Sequence, residues 1–422
     1  MRLVVQKYGG TSVGTPERIR SVARRLIETQ RNSCQVVVVI SAMAGVTDNL
    51  LTLAHEISRQ PTQRELDILL STGEHAAAAL IAMAVNALGG RGISLTGAQA
   101  GILTDRSHTR ARIANVSPKQ IHELLEDGYI VVVAGFQGQT PEGETTTLGR
   151  GGSDLTAIAL AGALNADACQ IFTDVDGVFT CDPRIVKEAE KVDEMAYDEL
   201  LEMAGSGAKV MQSRAVEFAK KFGVEFEVRS SFKTGAGTVT REETPSMEDV
   251  VVRGISLDRH QAKLSIAGVP DQPGIAARIF SDIGAAHIIV DMIVQNASIE
   301  GTTDISFTIH EDELENARKI LMPAVGRLGA KQLNTTSGVA KLSVVGIGMR
   351  SHSGVAARLF ECLGRNSINI QLVSTSEIKI AVIVDEKEAQ RAAQLVHAEF
   401  GLGRLLPAAS ATHPLARSTT DS

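Results

Sequence analysis

Along the first 230 residues, short unbroken apolar runs alternate with longer stretches of helical character. Leu3–Gln6 reads as a short strand. Thr15-Pro16-Glu17 reads as a helix start, with Thr as the N-cap and Pro in the first turn. Gln35–Ser41 (QVVVVIS) and Ile130–Ala134 (IVVVA) are apolar at every position, as expected of parallel strands covered on both faces. Between them, Glu65–Leu88 is a long, Ala-rich helical stretch. Asp154–Leu164 is helical and Ala168–Thr173 is again a strand. Strand and helix in alternation predict an α/β fold with a mainly parallel sheet between helical layers.

The pattern changes near 233–250 (KTGAGTVTREETPSMEDV), a polar stretch with two glycines and a proline that predicts a domain boundary. Beyond it the chain repeats itself. AKLSIAG at 262–268 returns as AKLSVVG at 340–346, and Gly274–Phe280 returns as Gly354–Phe360. Ile288–Met292 then matches Ile368–Leu372. Each copy reads strand, glycine loop, helix, strand, strand, helix, which predicts two small α+β sandwiches. The expected division is an α/β domain over 1–245, a first copy over 262–339, and a second built from 250–261 with 340–405. The tail over 406–422, rich in Ala, Ser and Thr from Pro407 on, is expected to be disordered.

Composition narrows the classes of function. Of 422 residues, 44% are hydrophobic and 22% charged, so global disorder is excluded. The net charge of −7 gives no basic footprint for nucleic acid, and the lack of Trp disfavours base stacking. No run of about 18 apolar residues is evident, and MRLVVQKYGG reads directly as a strand, so neither a membrane span nor a leader is expected. Cys34, Cys169, Cys181 and Cys362 lack metal-ligand spacing and read as reduced thiols of a cytosolic protein.

Five motifs at strand-to-helix junctions carry the chemistry, because α/β folds bind ligands there. Lys7-Tyr8-Gly9-Gly10-Thr11-Ser12 ends a strand with a cation, two glycines and two hydroxyls, a set suited to phosphate. It is not the GxxxxGK[ST] pattern. Gly149-Arg150-Gly151-Gly152-Ser153-Asp154 precedes a helix and offers backbone amides to an anion. Thr173-Asp174-Val175-Asp176-Gly177-Val178-Phe179, followed by Asp182-Pro183-Arg184, suits a nucleotide or a metal but is only moderately specific. Gly205-Ser206-Gly207-Ala208-Lys209-Val210 brings a second lysine into a glycine-rich lead-in. Ser41 and Thr47, with Ser71-Thr72-Gly73-Glu74, add hydroxyls and a carboxylate, and Gly73 hints at a break in its helix. Two lysines, one arginine and several glycine loops without a histidine dyad point to phosphoryl transfer. A carboxylate acceptor would need no general base, since it is ionised at pH 7, but would need cationic cover from Lys7 and Lys209.

Together KYGGTS, TLGRGGSD, TDVDGV with DPR, and GAKV resemble the amino-acid kinase family, and within it the aspartate kinase branch, from Met1 to about Gly403. The resemblance implies a three-layer αβα kinase domain followed by two ferredoxin-like ACT domains. It implies ATP with Mg²⁺ and transfer of the γ-phosphoryl group to the β-carboxylate of L-aspartate, at the head of the route to lysine, threonine and methionine. By position, Lys7 and Lys209 resemble the phosphoryl-neutralising cations and Asp154 the carboxylate that organises the lysine. Arg150 would hold the substrate α-carboxylate and Glu74 its ammonium. Ser41, Thr47, Gly151, Gly152 and Ser153 would line the substrate pocket. Lys7, Tyr8, Gly9, Gly10, Thr173, Asp174, Phe179, Asp182, Arg184, Lys209 and Val210 match the nucleotide side. No protein metal ligand is assigned.

The ACT resemblance implies an effector site for lysine, threonine or both. Asp271, Gly274, Ile275 and Ala276 form its first loop, with Gln295 and Asn296 after the next strand. Gly354, Val355, Asn369 and Ile370 are the second copy's counterparts, with Asn369 and Ile370 completing the site across an interface of a homo-oligomer. Met247 could start a separate small subunit. The rivals are a kinase for another acid acceptor and a catalytically silent amino-acid sensor.

Overall fold

The computed structural model describes residues 1–208, 210–296 and 301–403. Lys209 and the tail over 406–422 therefore lie outside the described residues.

In the first half β1 (Arg2–Tyr8), α1 (Pro16–Arg31), β2 (Cys34–Ile40), α2 (Val46–Ile57), α3 (Gln63–Ala87) and β3 (Gly92–Leu95) follow one another. A small four-stranded sheet comes from β4 (Ile102–Thr104), β5 (Ile113–Val116), β7 (Gln137–Gln139) and β8 (Thr145–Thr147). Between its strands lie α4 (Lys119–Glu126) and β6 (Ile130–Ala134). Then come α5 (Gly152–Ala163), β9 (Ala168–Thr173), β10 (Glu194–Ala196), α6 (Tyr197–Gly205), α7 (Ser213–Phe222), β11 (Phe226–Ser230), β12 (Thr238–Arg241) and α8 (Pro245–Glu248). The main sheet has the order β10-β12-β11-β9-β1-β2-β6-β3 and is parallel except between β11 and β12.

Two cores sandwich this sheet. Val5, Val37, Val39 and Val133 pack against α5, while Val36, Val38, Val132 and Ala134 pack against α1 and α3. That double burial is why β2 and β6 read as unbroken apolar runs. Thr15 caps α1 by accepting from the Arg18 N–H at 3.4 Å.

Three expectations change. α3 runs through Gly73 without a break; a Cβ there would sit 3.0 Å from the Ala42 Cβ, so glycine lets the loop after β2 close on the helix. By length and composition α3 could cross a membrane; it packs against α1, β3 and β8 with about half of its apolar stretch buried. The stretch over 233–250 is not all linker, because β12 lies inside it and pairs with both β10 and β11.

The second half is β13 (Gly254–Pro270), α9 (Ile275–Ala285), β14 (Val290–Gln295), β15 (Thr302–His310), α10 (Leu314–Leu328), β16 (Gln332–Val345), α11 (Val355–Arg365), β17 (Leu372–Thr375), β18 (Lys379–Asp385) and α12 (Glu386–Glu399). One antiparallel sheet, β14-β15-β13-β16-β18-β17, runs through both copies. The copies exchange strands. The start of β13 (Gly254↔Val345 to Asp258↔Lys341) lies in the second copy, and the start of β16 (Lys263↔Thr336 to Ala267↔Gln332) lies in the first. Each long strand changes copy at a bulge, where His260 (φ 62°) and Gly338 (φ 65°) take left-handed backbone.

The second copy is joined to the kinase half. Cys181 and Val186 share its core with Leu359, Leu363 and Val396. The Thr180 hydroxyl bridges the His397 Nε2 at 2.9 Å and the Leu402 carbonyl at 3.1 Å. Fully buried Glu199 accepts from the backbone N–H of Ile347 at 3.1 Å and of Ala196 at 3.2 Å, and from Arg253 Nε at 3.3 Å. The first copy has a core of its own, around Leu264, Ile279, Phe307 and Leu321.

Candidate active site

The C-terminal ends of β1, β2 and β9 lie side by side, so the loops that leave them form one rim. Lys7 Nζ meets Asp154 Oδ1 at 2.6 Å, and both side chains are 11% exposed. Asp154 stands in the first turn of α5, where an anion also suits the positive end of the helix. The ammonium folds over Gly9, with 3.5 Å from Nζ to the place a Cβ would take. Gly10 is closer still to its neighbours; a Cβ would stand 2.5 Å from the Ala42 carbonyl. These two positions therefore hold the β1 loop flat against the loop after β2, and the Ala44 N–H donates to the Gly10 carbonyl at 3.2 Å.

Around the same loop, the Ser41 N–H donates to the Tyr8 carbonyl, and the Ala42 N–H donates to Glu74 Oε1 at 3.1 Å. Glu74 is 4% exposed and its Oε2 has no hydrogen-bond partner. Burial pushes its carboxyl up to about 7, against the opposing Ala42 N–H. A buried carboxylate with one oxygen engaged and one unengaged is suited to a cation that arrives with a ligand. Thr47 lies half-buried in the first turn of α2, after Gly45 in left-handed backbone.

Gly149 (φ 79°) and Gly151 (φ 71°) turn the chain sharply on either side of exposed Arg150, which makes no ion pair within the described residues. At Gly151 a Cβ would overlap Gln212, and at Gly152 it would press on Leu148. Ser153 is buried, its hydroxyl lying 2.7 Å from a Cβ built on Gly135.

On the β9 side of β1 a cavity of about 810 Å³ opens. Thr173, Asp174, Phe179, Asp182, Arg184 and Val210 all line it, so the third and fourth motifs meet in one cleft. Arg184 grips Asp182 through Nε and Nη2 at 3.0 and 2.7 Å, which holds the Asp182 carboxyl below its usual range. Asp174 remains exposed and accepts from the Thr173 hydroxyl at 3.2 Å. The far wall belongs to the regulatory half, through Leu257, Asp258 and His260.

One assignment needs correction. The Tyr8 side chain is fully buried on the opposite face of β1, stacked on Phe172 at 4.6 Å, and Tyr8 is not among the residues that line the cleft. In the regulatory half, Gly274 (φ 89°) and Gly354 (φ 90°) cap α9 and α11, but Ile275 and Val355 turn into the two cores at 6% exposure. They can offer a ligand only their backbone. Asp271, Gln295, Asn296 and Asn369 are exposed, and Ala276 and Ile370 are half-buried.

Other residues escaped the sequence reading. Ser231 and Lys233 each join a motif residue at the rim: Ser231 shares a hydrogen bond of 2.5 Å with Ser12, and Lys233 pairs with Asp176 at 2.5 Å. Lys233 carries the same signature as Lys7, a lysine before glycines at a strand end, but lay in the stretch read as linker. Asp67, fully buried, accepts from the Thr109 N–H at 3.0 Å, pairs with His108 at 2.8 Å and holds the Thr147 hydroxyl just ahead of the Arg150 turn. A lone Asp in a helical stretch gave no sign of that role.

Comparison with known proteins agrees with this geometry. The amino acid kinase family matches residues 2–230, and the ACT domain matches 264–324 and 342–400. The chain is 50% identical over 403 residues to the aspartate kinase Ask_LysC of Stutzerimonas stutzeri (strain A1501), spanning 95% of this chain and 98% of that one. It resembles E. coli aspartokinase III in complex with aspartate and ADP (R-state), with TM-score 0.78 and 25% identity over 94% of this chain and 99% of that one. The same enzyme with lysine and aspartate (T-state) gives TM-score 0.77 and 26% identity over the same shares. The chain therefore belongs to the aspartate kinases, phosphotransferases of the amino acid kinase family that carry ACT domains.

Proposed function

We propose that this kinase transfers the γ-phosphoryl group of ATP to the β-carboxylate of L-aspartate, giving 4-phospho-L-aspartate. In the cell this is the first step toward lysine, threonine and methionine. The observation that carries the reading is the rim itself: the Lys7–Asp154 pair sits on β1, between β9, whose end lines the cleft with Thr173, and β2, whose following loop meets Glu74. Lys7 covers the charge of the phosphoryl group while one anion attacks another, and Asp154 keeps its ammonium aimed. Lys209 supplies the second cation. Exposed Arg150 takes the α-carboxylate and the unengaged Glu74 oxygen takes the α-ammonium, with Ser41, Thr47 and the Gly151–Ser153 turn around them. Gly9 and Gly10 line the phosphates, where the lack of side chains lets them approach; Asp174, Phe179, Asp182 and Val210 face the nucleoside side. Mg²⁺ comes bound to the nucleotide, and the exposed Asp174 carboxylate is the cleft group suited to it.

The regulatory half reads as two ACT domains, 262–339 and 250–261 with 340–405, that bind lysine, threonine or both. Asp271, Gly274, Gln295 and Asn296 form the main contacts of the site, and Asn369 and Ile370, the second copy's counterparts, complete it from across an interface. Exposed Ile289 and Ile293 beside edge strand β14, and Val373 on edge strand β17, support assembly into a homo-oligomer through this half. Complexes of E. coli aspartokinase III with aspartate, ADP and lysine support the ligand assignments. A start at Met247 would release a regulatory fragment. The reaction belongs to the cytosol.

The test is coupled ADP release with ATP, Mg²⁺ and L-aspartate, with hydroxylamine to trap the acyl phosphate. Hydroxamate formed with aspartate and suppressed by lysine or threonine is the expected result. ADP release with a different acid, or none with any, would replace this reading by one of its rivals.

A further inference from the structure

Lys341 occupies an unusual place for a lysine. It lies mid-strand in β16, opposite Asp258 of β13, with its side chain only 2% exposed. An isolated ammonium at that depth is strongly disfavoured, so its partners define its purpose. It forms a close ion pair with Asp291 of β14 and donates to the Gly205 carbonyl of the kinase half at 3.4 Å. Gly205 ends α6 and opens the turn toward the cleft-lining residues Gly207, Ala208 and Val210. The turn has no slack: Gly207 takes φ 111°, and a Cβ there would stand 2.7 Å from the Leu257 carbonyl. The hydroxyls of Ser206, Ser256 and Ser343 are buried in this region without partners, so Lys341 meets the turn across a polar seam.

The repeat sharpens the argument. Lys263 is the counterpart of Lys341 and lies half-buried, without an ion pair among the described residues. The counterpart of Asp291 is Gln371. Both copies keep the lysine, yet the carboxylate is present once, where the lysine faces the kinase.

We propose that Lys341 is a positioning residue for nucleotide binding, fixing the Gly205–Ala208 turn through the Gly205 carbonyl with Asp291 as its counter-ion. The proposal rests on the reading of the Thr173–Arg184 cleft as the nucleotide site. Asp291 lies four residues before Gln295, so the strand that carries the candidate effector residues also carries this counter-ion.

The test uses the full-length enzyme, with ADP binding by calorimetry and initial rates. Lys341→Met weakens ADP binding and raises KM for ATP about tenfold, the scale of one hydrogen bond from a charged group, while KM for aspartate stays unchanged. Asp291→Asn shifts ADP affinity the same way and adds nothing in the Lys341→Met background. Unchanged ADP affinity in Lys341→Met, or an equal rise in both KM values, overturns the proposal. If Lys341→Met fails to fold, Asp291→Asn decides alone: unchanged ADP affinity overturns the proposal and weakened affinity supports it. Arg184→Ala separates the two levels. Weakened ADP binding there but not in Lys341→Met overturns the positioning role only; no loss in either overturns the cleft reading beneath it.

Discussion

Glu74 in the catalytic half and Glu199 at the seam with the regulatory half are buried to nearly the same depth, at 4% and 0% exposure, and burial raises the carboxyl of both. Their partners differ. Glu199 is met by Arg253 and two backbone N–H groups from opposite sides of the seam. Glu74 receives one N–H and keeps Oε2 unengaged. The same buried group thus serves as a latch where its partners are supplied by the chain, and as a binding group where one is left for a ligand. Depth of burial alone does not separate a structural carboxylate from a functional one; the count of satisfied oxygens does.

The largest effect is expected from Glu199→Ala, which strands Arg253 and two N–H groups. Stability is expected to fall by roughly 3–5 kcal/mol in urea unfolding. A loss as small as that of a surface substitution would mean the latch is not one. Next, Lys7→Ala is expected to lower kcat by about 10²–10³-fold with the circular dichroism spectrum retained; near-normal turnover would remove Lys7 from the chemistry. Glu74→Gln should raise KM for aspartate roughly 10–100-fold, the scale of a lost charged hydrogen bond.

The pH behaviour of Glu74 follows from its raised carboxyl. The folded chain holds the proton up to about 7, above the ordinary carboxylate range, so this group favours folding at low pH and that contribution is lost as pH rises through about 7. At pH 8 the ligand-free Glu74→Gln enzyme should therefore melt higher, by roughly 2–4 °C. In the wild type, KM for aspartate should rise as pH falls below about 7, and this rise should vanish in Glu74→Gln. A flat wild-type profile would detach Glu74 from the substrate ammonium. Smallest in stability is Asp271→Ala, an exposed side chain, whose expected effect is lost inhibition by lysine or threonine, a coupling of about 5–150-fold. Inhibition retained there, and lost instead on replacing His352, which lies two residues before Gly354 in the second copy's loop, by Ala would exchange the roles of the two copies.

Much of this was legible in the residue pattern. β6 and β9 begin and end where the residue pattern places them, and the Lys7 and Asp154 motifs converge as their places at strand-to-helix junctions implied. What the pattern hides is direction. β1 is buried at six of its seven positions, so no alternation tells which face Lys7 takes and which Tyr8 takes. Only the folded sheet turns one toward Asp154 and the other onto Phe172. Gly73 was misread for a related reason. A glycine inside a helix signals either a break or a close neighbour, and the neighbour, Ala42, is 31 residues away in sequence. Lys341 gave no signal, because its two partners come from another strand and another half of the chain.

The exchange of strands between the two copies governs how the chain must be made. As it leaves the ribosome, the first copy cannot complete its sheet until residues 332–336 emerge, and β13 meanwhile presents an unpaired edge along its length. A truncation between the copies leaves that edge permanently open and favours aggregation. A fragment that begins at Met247 carries both exchanging strands and can close the sheet.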